Sequence, residues 1–298
     1  MKQMWEENEA PLWRWIIAVL LSLLVGTVLG WVLGAEVSSL PLLQDGCYLA
    51  PERPLLAGIA VFLGILLVFC FTLRMICRTS LRAFLFGGGR KPEWKKAWIT
   101  GALFFAGLIL VQIPLIKNIT FDQSAVMTAP VNILFCVLFL WIQTTTEEIL
   151  FRALFLRIPY GDQVPQLPKG LPAAILSSLI FMCAHLYNPE ITTQSGIGIL
   201  LTAATYFAMG FFMFVSNLLA GGTECSLVLH LLNNFFCFVF VRAEVTALLT
   251  PALFVDHTPH GTGLQQFLST LFVFVMPIVF LIRSSRSTNS THKPAYRR

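Results

Sequence analysis

Two adjacent glutamates, Glu147 and Glu148, lie in an otherwise apolar stretch of the sequence and could do acid–base chemistry there. Glu148 and Arg152 are four residues apart, so on a helix they share one face and can form an ion pair. Glu147 points about 100° away from Glu148 around the helix and has no cationic partner nearby in the sequence. An unpaired carboxyl group in apolar surroundings suits a general base or acid that works near neutral pH. The plainer interpretation is that both glutamates mark the cytoplasmic end of a helix.

Two histidines and an asparagine lie in two later apolar stretches, and a polar or ionisable residue at membrane depth is a functional candidate by default. His185 follows Phe181 by four residues, and His230 and Asn234 have the same spacing, which places each pair on one helical face. His230 and Asn234 can both donate hydrogen bonds, as in half of an oxyanion-binding site. The alternatives are a core histidine at 185 with a satisfied hydrogen bond, and an interhelical clasp at 230 and 234.

These polar groups on three helices must contact one another, because lipid offers them no hydrogen-bond partner. The sequence therefore predicts one central site built from three spans. His257 and His260 lie among Pro, Gly, Asp and Thr between 242 and 264, where a solvated outer loop is expected.

The composition predicts the elements that position this site. Apolar residues make up 56% of the 298 residues and charged residues only 12%, whereas an ordinary soluble domain has roughly 25% charged residues. A soluble globular enzyme is thereby excluded, and an all-α polytopic bundle of about eight transmembrane helices is predicted. The spans are expected at 15–35, 55–74, 97–116, 131–157, 171–187, 196–219, 224–241 and 265–282. Residues 1–282 are interpreted as one membrane domain with a core at about 131–241, and 283–298 as a basic, disordered tail.

The basic residues predict the orientation. When the loop 74–96 is placed inside, three of the 20 lysines and arginines fall outside: Arg53, Lys117 and Arg242. This asymmetry predicts that the loop and both termini are cytoplasmic, and the net charge of +5 then requires no nucleic-acid partner. Arg74, Arg78 and Arg82 repeat every four residues, so we expect them on one face of a helix, where they bind anionic headgroups or anchor the topology.

Three motifs resemble those of the CPBP intramembrane peptidases, which comprise the CAAX prenyl endopeptidase type 2 proteins and their bacterial Abi relatives. The motifs E-E-x-x-x-R, F-x-x-x-H and H-x-x-x-N are met, in order, by Glu147, Glu148 and Arg152, by Phe181 and His185, and by His230 and Asn234. The resemblance covers roughly 131–241, and the other spans match only in being hydrophobic. It implies a multi-pass membrane endopeptidase that cleaves a membrane-associated peptide or protein. The short loops favour a bacterial plasma membrane.

The resemblance also implies a role for each of these side chains. Glu147 would activate the hydrolytic water with help from His185, and His230 and Asn234 would stabilise the oxyanion of the tetrahedral intermediate. Glu148, Arg152 and Phe181 would be supporting residues. The family needs no metal and no cofactor. A zinc site stays an alternative, because one glutamate and two histidines are suitable zinc ligands in type and in number. The sequence contains no H-E-x-x-H string, however.

Two other functions stay open from the sequence. A catalytically idle relative could act as an immunity or scaffold protein, although every expected catalytic residue is present. A proton-coupled transporter could use glutamate and histidine as a relay, although the sequence has no inverted repeat.

The predicted spans leave a conflict of depth. His185 lies 14 residues into its span, or about 21 Å along a helix, whereas Glu147 is expected near the cytoplasmic side. If the spans are straight, His185 lies deeper in the membrane than Glu147 and the two side chains cannot meet. Either the span of His185 begins in the cytoplasm, or a water-filled cavity open to the cytoplasm reaches far into the bilayer.

Overall fold

The computed structural model describes residues 11–39, 53–87, 89–161, 163–246, 250, 252–258 and 263–291. The helices are α1 (Leu12–Ser39), α2 (Arg53–Met75), α3 (Leu81–Phe86), α4 (Trp94–Gln112), α5 (Gln123–Glu148), α6 (Leu154–Tyr160), α7 (Leu167–Ala184), α8 (Pro189–Thr192), α9 (Ile197–Ala220), α10 (Glu224–Phe235) and α11 (Leu264–Thr291). A 3-10 segment, Ile113–Asn118, prolongs α4, and π-helical segments continue α5 (Ile149–Ala153) and α10 (Phe236–Phe240). The predicted all-α bundle is confirmed, and α10 packs against α4, α5 and α9 at its centre.

Six of the described helices are long and apolar enough to cross a membrane. They are Leu12–Ala35, Gly58–Met75, Trp94–Asn118, Leu167–Ala184, Ile197–Ala220 and Leu264–Ser285. The two other predicted spans correspond to a shorter apolar segment, Glu224–Phe240, and to α5 with its continuation. The total of eight spans and the side of the termini stay predictions.

Glycines let α1 and α2 lie backbone against backbone. A Cβ atom on Gly64 of α2 would lie 2.3 Å from the carbonyl oxygen of Gly26, and one on Gly30 would lie 2.4 Å from the Cα atom of Val61. Small residues spaced four apart, such as Gly26 and Gly30, allow membrane helices to approach closely, and van der Waals contact then holds them together. The α1–α2 hairpin therefore depends on the absence of side chains at this seam.

Gly64→Ala should destabilise this hairpin, because the new Cβ atom forces two backbones apart. Overpacking costs about 1–3 kcal/mol, and we expect a loss of that size in the free energy of unfolding, measured by denaturant titration in detergent. Gly89→Ala is the matched control, since nothing lies within 4 Å of its Cβ position. Equal unfolding midpoints for the two variants would contradict the close contact.

Contrary to the prediction from their spacing, Arg74, Arg78 and Arg82 do not lie on one helix. The α2 helix ends at Met75, Arg78 has a φ of 58°, and α3 begins only after Ser80, whose side chain accepts a hydrogen bond from the N–H of Ala83 at 3.2 Å. A left-handed residue interrupts a right-handed helix. The prediction that the three arginines share one helical face is therefore wrong.

Helix α3 instead packs against the turn between α9 and α10. Arg157 and Thr223 both donate to the carbonyl oxygen of Leu85, at 3.1 and 2.6 Å. Nη1 of Arg90 donates to Oε2 of Glu224 at 2.9 Å, and Glu224 is the first residue of α10. These bonds fix the start of α10, the helix that carries two of the predicted site residues.

A small sheet at one end of the bundle was not predicted. Its strands are β1 (Ile119–Phe121), β2 (Val241–Ala243) and β3 (Phe254–Asp256), in the order β1-β3-β2, with β3 antiparallel to β1 and parallel to β2. The segment 242–264, predicted as a loop, is thus partly strand. His257 is exposed, as expected, and its Nε2 lies 2.9 Å from Oγ1 of Thr120. His260 lies outside the described residues.

The C-terminal helix is longer than the predicted span. It continues to Thr291, so the described part of the expected tail, residues 283–291, is helical. Residues 292–298 lie outside the described part of the chain.

Candidate active site

Glu147 lies well inside one long helix. The helix α5, its π-helical continuation and α6 run without a break to Tyr160, so Glu147 is 13 residues, or about 20 Å, from that end. The next helix, α7, begins at Leu167, and His185 follows its last residue, about 27 Å from its start. Measured along the two helices, the depths of the two side chains differ by about 7 Å. The plainer interpretation, in which both glutamates mark the end of a helix, is wrong, because the helix continues past them to Tyr160.

Four side chains form a buried chain of charged contacts: Arg152, Glu148, His230 and Glu147. Nη1 of Arg152 lies 3.1 Å from Oε1 of Glu148, so the ion pair expected from their spacing is present, and both side chains are fully buried. Nδ1 of His230 lies 2.7 Å from the same oxygen. Its Nε2 lies 3.5 Å from Oε2 of Glu147. His230, on α10, thus bridges the two glutamates of α5.

The two oxygens of Glu147 have different surroundings. Gln143, one turn earlier, donates from Nε2 to Oε1 at 2.9 Å. Oε2 is buried and, among the described residues, has no hydrogen-bond partner apart from the longer contact to His230. Glu147 lacks a cationic partner on its own helix, as the spacing indicated, and α10 brings the ring of His230 beside it. One oxygen is therefore fixed, and the other is available for proton transfer.

His185 is held between aromatic rings at the end of α7. Its Nδ1 lies 2.7 Å from the carbonyl oxygen of Phe181. Since a carbonyl oxygen only accepts, Nδ1 carries the proton, and in the neutral ring Nε2 has the lone pair. The ring lies 4.3 Å from that of Phe181 and stacks on Tyr206 at 4.6 Å with an interplanar angle of 23°. Phe181 also lies 4.2 Å below Cζ of Arg152, so it links His185 to the charged chain.

Asn234 shares the inner face of α10 with His230, as the spacing predicted, and both are buried. The neighbouring Asn233 donates from Nδ2 to Oδ1 of Asn234 at 3.2 Å. With its oxygen occupied, the amide of Asn234 keeps its NH₂ group as a donor. Sequence reasoning missed Asn233, and it also missed Gln143, whose spacing of four from Glu147 was a usable signal.

All four predicted catalytic side chains line one cavity of about 710 Å³: Glu147, His185, His230 and Asn234. Gln143, Asn233 and Tyr206 belong to the same wall. The wall continues to the sheet, where it includes Asp256 and Thr258, and it contains no described residue of the basic segment 74–96. In the predicted orientation the sheet end lies outside. The described wall therefore extends toward the side that is predicted to lie outside, and a cavity open to the cytoplasm stays a prediction.

The described residues do not offer zinc an obvious set of ligands. Among the described residues, no group of three or more His, Cys, Asp or Glu side chains is arranged to hold a metal ion. Both ring nitrogens of His230 face glutamates, and Nδ1 of His185 faces a carbonyl oxygen.

The chain matches one family model over its central third. Residues 129–236 match the family described as Rce1-like: type II CAAX prenyl endopeptidase Rce1-like. The matched range contains all three motifs, and the resemblance noted from the sequence is confirmed. Together with the six apolar helices, the match supports an integral membrane protein of the CAAX protease type. Searches of curated proteins and of solved structures each found no match.

Proposed function

We propose that the chain is an intramembrane endopeptidase, and the premise of this proposal is the match of residues 129–236 to the Rce1-like family of type II CAAX prenyl endopeptidases. It hydrolyses a peptide bond of a membrane-associated peptide or protein by a water molecule that Glu147 activates. The observation that carries this proposal is the position of His230, which bridges Glu147 and Glu148 in the wall of the cavity. A bacterial plasma membrane is its proposed location.

The charges of the buried chain balance in the state that the reaction needs. Buried charges are tolerated when they are paired and hydrogen-bonded. Arg152 offsets Glu148 at 3.1 Å, and a doubly protonated His230 offsets an ionised Glu147 at 3.5 Å. In this state Glu147 is a base and His230 has a proton on Nε2, so each group is ready for its part in the reaction.

In the first step, Glu147 takes a proton from water, and the resulting hydroxide oxygen bonds to the carbonyl carbon of the substrate. His185 accepts a hydrogen bond from the same water through its unprotonated Nε2. The electron pair of the C=O double bond moves to the carbonyl oxygen. Nε2–H of His230 and the NH₂ group of Asn234 donate hydrogen bonds to this oxyanion.

In the second step, the tetrahedral intermediate collapses. Glu147 returns its proton to the amide nitrogen and the C–N bond breaks, which gives a carboxylic acid and an amine. A proton then passes from the acid to the amine, so the released products are a carboxylate and an ammonium group. One water is consumed, and no bond to the enzyme forms. Glu148 acts through His230, because its Oε1 fixes Nδ1 of that ring at 2.7 Å.

The direct test is cleavage of a quenched library of lipidated and unlipidated peptides by the purified protein in detergent, run in ¹⁸O-labelled water with hydroxylamine present. We expect one ¹⁸O atom in the new carboxyl terminus, no hydroxamate product, and the same rate with a chelator. A hydroxamate would indicate an acyl-enzyme and contradict the proposal. Loss of cleavage with the chelator would favour the zinc alternative.

The remaining alternatives give different results in the same preparation. An idle immunity or scaffold protein would cleave no peptide of any pool, and its Glu147→Gln variant would behave identically in every assay. A proton-coupled transporter would show ion-driven uptake when reconstituted in proteoliposomes.

The charge of the cavity wall predicts a preference for basic substrates. Besides Glu147, whose charge His230 offsets, its described residues include the carboxylates of Glu190 and Asp256 and no lysine or arginine. A wall with a net negative charge concentrates positively charged substrates, and salt weakens the effect. Peptides with lysines beside the scissile bond should therefore have a kcat/KM at least about fivefold above that of matched glutamate peptides at low salt.

Glutamine peptides of the same length provide the neutral reference for this comparison. The advantage of the lysine peptides should shrink at high salt, and amidation of the peptide C-terminus should not slow cleavage. Equal kcat/KM for lysine, glutamine and glutamate peptides would contradict the predicted preference.

A further inference from the structure

A second hydrogen-bonded group lies in the cavity wall beside the charged chain, and it consists of Asn188, Glu190 and Tyr206. The hydroxyl of Tyr206 donates to Oε1 of Glu190, since a carboxylate only accepts. Nδ2 of Asn188 donates to the hydroxyl oxygen of Tyr206 at 2.9 Å and to Oε1 of Glu190 at 3.2 Å. The hydroxyl of Tyr206 is therefore held at a fixed point by two side chains.

These hydrogen bonds connect the residues that follow His185 with the tyrosine that stacks on it. Asn188 and Glu190 lie in the turn and in α8, directly after His185, and the backbone N–H of Asn188 donates to the carbonyl oxygen of His185 at 3.0 Å. Tyr206 comes from α9 and stacks on the imidazole. The residues that directly follow His185 thus hold the phenol of Tyr206, and this phenol covers the imidazole of His185.

One hydrogen bond and two flanking aromatic rings together fix the orientation of the His185 imidazole. A single hydrogen bond, from Nδ1 to the carbonyl oxygen of Phe181, sets the tautomer of His185. His185 follows the last residue of α7, so the regular helix no longer restrains its side chain. Phe181 and Tyr206 confine the ring, and this confinement prevents the imidazole from rotating away from the carbonyl oxygen.

We propose that Tyr206, with Asn188 and Glu190, is a positioning unit that holds His185 in its Nδ1-protonated form with Nε2 toward the cavity. This inference rests on the proposed function, in which Nε2 of His185 orients the attacking water. Misplacement of a reacting group by about 1 Å can lower a rate by about 10²-fold, and His185 acts on the attacking water and not on the bound substrate. The unit should therefore act on kcat and leave KM unchanged.

The test reads the tautomer of His185 directly, by ¹⁵N NMR of protein labelled at histidine. In the wild type, Nδ1 and Nε2 of His185 should give separate signals of a protonated and an unprotonated nitrogen, assigned by their loss in His185→Gln. In Tyr206→Leu the two signals should move toward each other as tautomers average. The kcat should fall at least about tenfold, with KM within about twofold.

Matched variants separate positioning from packing. Tyr206→Phe keeps the stacked ring and loses the hydroxyl anchor, so both signals should move less than in Tyr206→Leu. Tyr187→Leu is the control, since Tyr187 is 92% exposed. If Tyr206→Leu does not fold, Glu190→Ala against Glu190→Gln gives the same comparison, because only the glutamine keeps an acceptor for the hydroxyl of Tyr206.

Unchanged ¹⁵N signals of His185 in Tyr206→Leu would overturn the positioning role, even if activity falls. Averaged signals with an unchanged kcat would overturn it as well. Failure of the proposed function looks different, since the wild type and His185→Gln would then give the same result with every peptide, whether that result is equal cleavage or none. In that case the NMR signals still report whether Tyr206 holds the ring.

Discussion

Glu147→Gln should lower kcat for peptide hydrolysis by at least about 10³-fold, while the free energy of unfolding stays within about 1 kcal/mol of the wild type. The amide cannot take a proton from water, so the first step loses its base. The shape of the side chain is kept, and the amide oxygen can still accept the hydrogen bond that Gln143 now donates at 2.9 Å. The variant should therefore lose its catalytic activity and keep its fold.

Glu244→Gln is the matched control, because Glu244 is exposed and lies 3.6 Å from His257 at the sheet end. Its activity and its stability should equal those of the wild type. Glu147→Asp adds a graded step, since it keeps a carboxylate but withdraws it from the substrate, and its kcat should fall between those of wild type and Glu147→Gln. The decisive measurement is single-turnover cleavage with each variant's melting curve beside it. Wild-type turnover by Glu147→Gln would remove Glu147 as the base.

The convergence of the candidate site could be predicted from the sequence, because lipid leaves polar side chains no partner except one another. The spacing of Glu148 and Arg152 also predicted their ion pair, since residues four apart on a helix are neighbours. The bridge from His230 to both glutamates could not be predicted, because it depends on the rotation of α10 relative to α5. Tyr206 carried no signal, since its contact with His185 exists only once α9 packs beside α7.

The fold was predictable where one physical force decides it. The length of apolar sequence needed to cross a bilayer fixes the spans, and the ends of α7 and α9 lie within four residues of the predictions. The prediction failed at Arg78, where a single left-handed residue outweighs an i, i+4 pattern. It also missed strands β1 to β3, because three-residue strands are stabilised by pairing with distant segments and not by their own sequence.

Arg152→Leu should lower the free energy of unfolding by about 3–5 kcal/mol, the cost of leaving a buried charge without its partner. Glu148 would keep His230 at 2.7 Å and lose the guanidinium that pairs with it. The contact of the guanidinium with the ring of Phe181 would also be lost. The unfolding transition in detergent, followed by circular dichroism during denaturant titration, measures this change. Arg82→Leu is the control, since Arg82 is exposed on α3.

The double variant Glu148→Leu, Arg152→Leu separates stability from function. Replacing a buried ion pair by apolar side chains is often neutral or stabilising, so most of the lost stability should return. Activity should not return, because Nδ1 of His230 would have lost the carboxylate that fixes it. A double variant as unstable as Arg152→Leu would mean that packing of the arginine, and not the unpaired charge, causes the loss. Recovery of both stability and cleavage would show that hydrolysis does not depend on the bridge from Glu148 to His230.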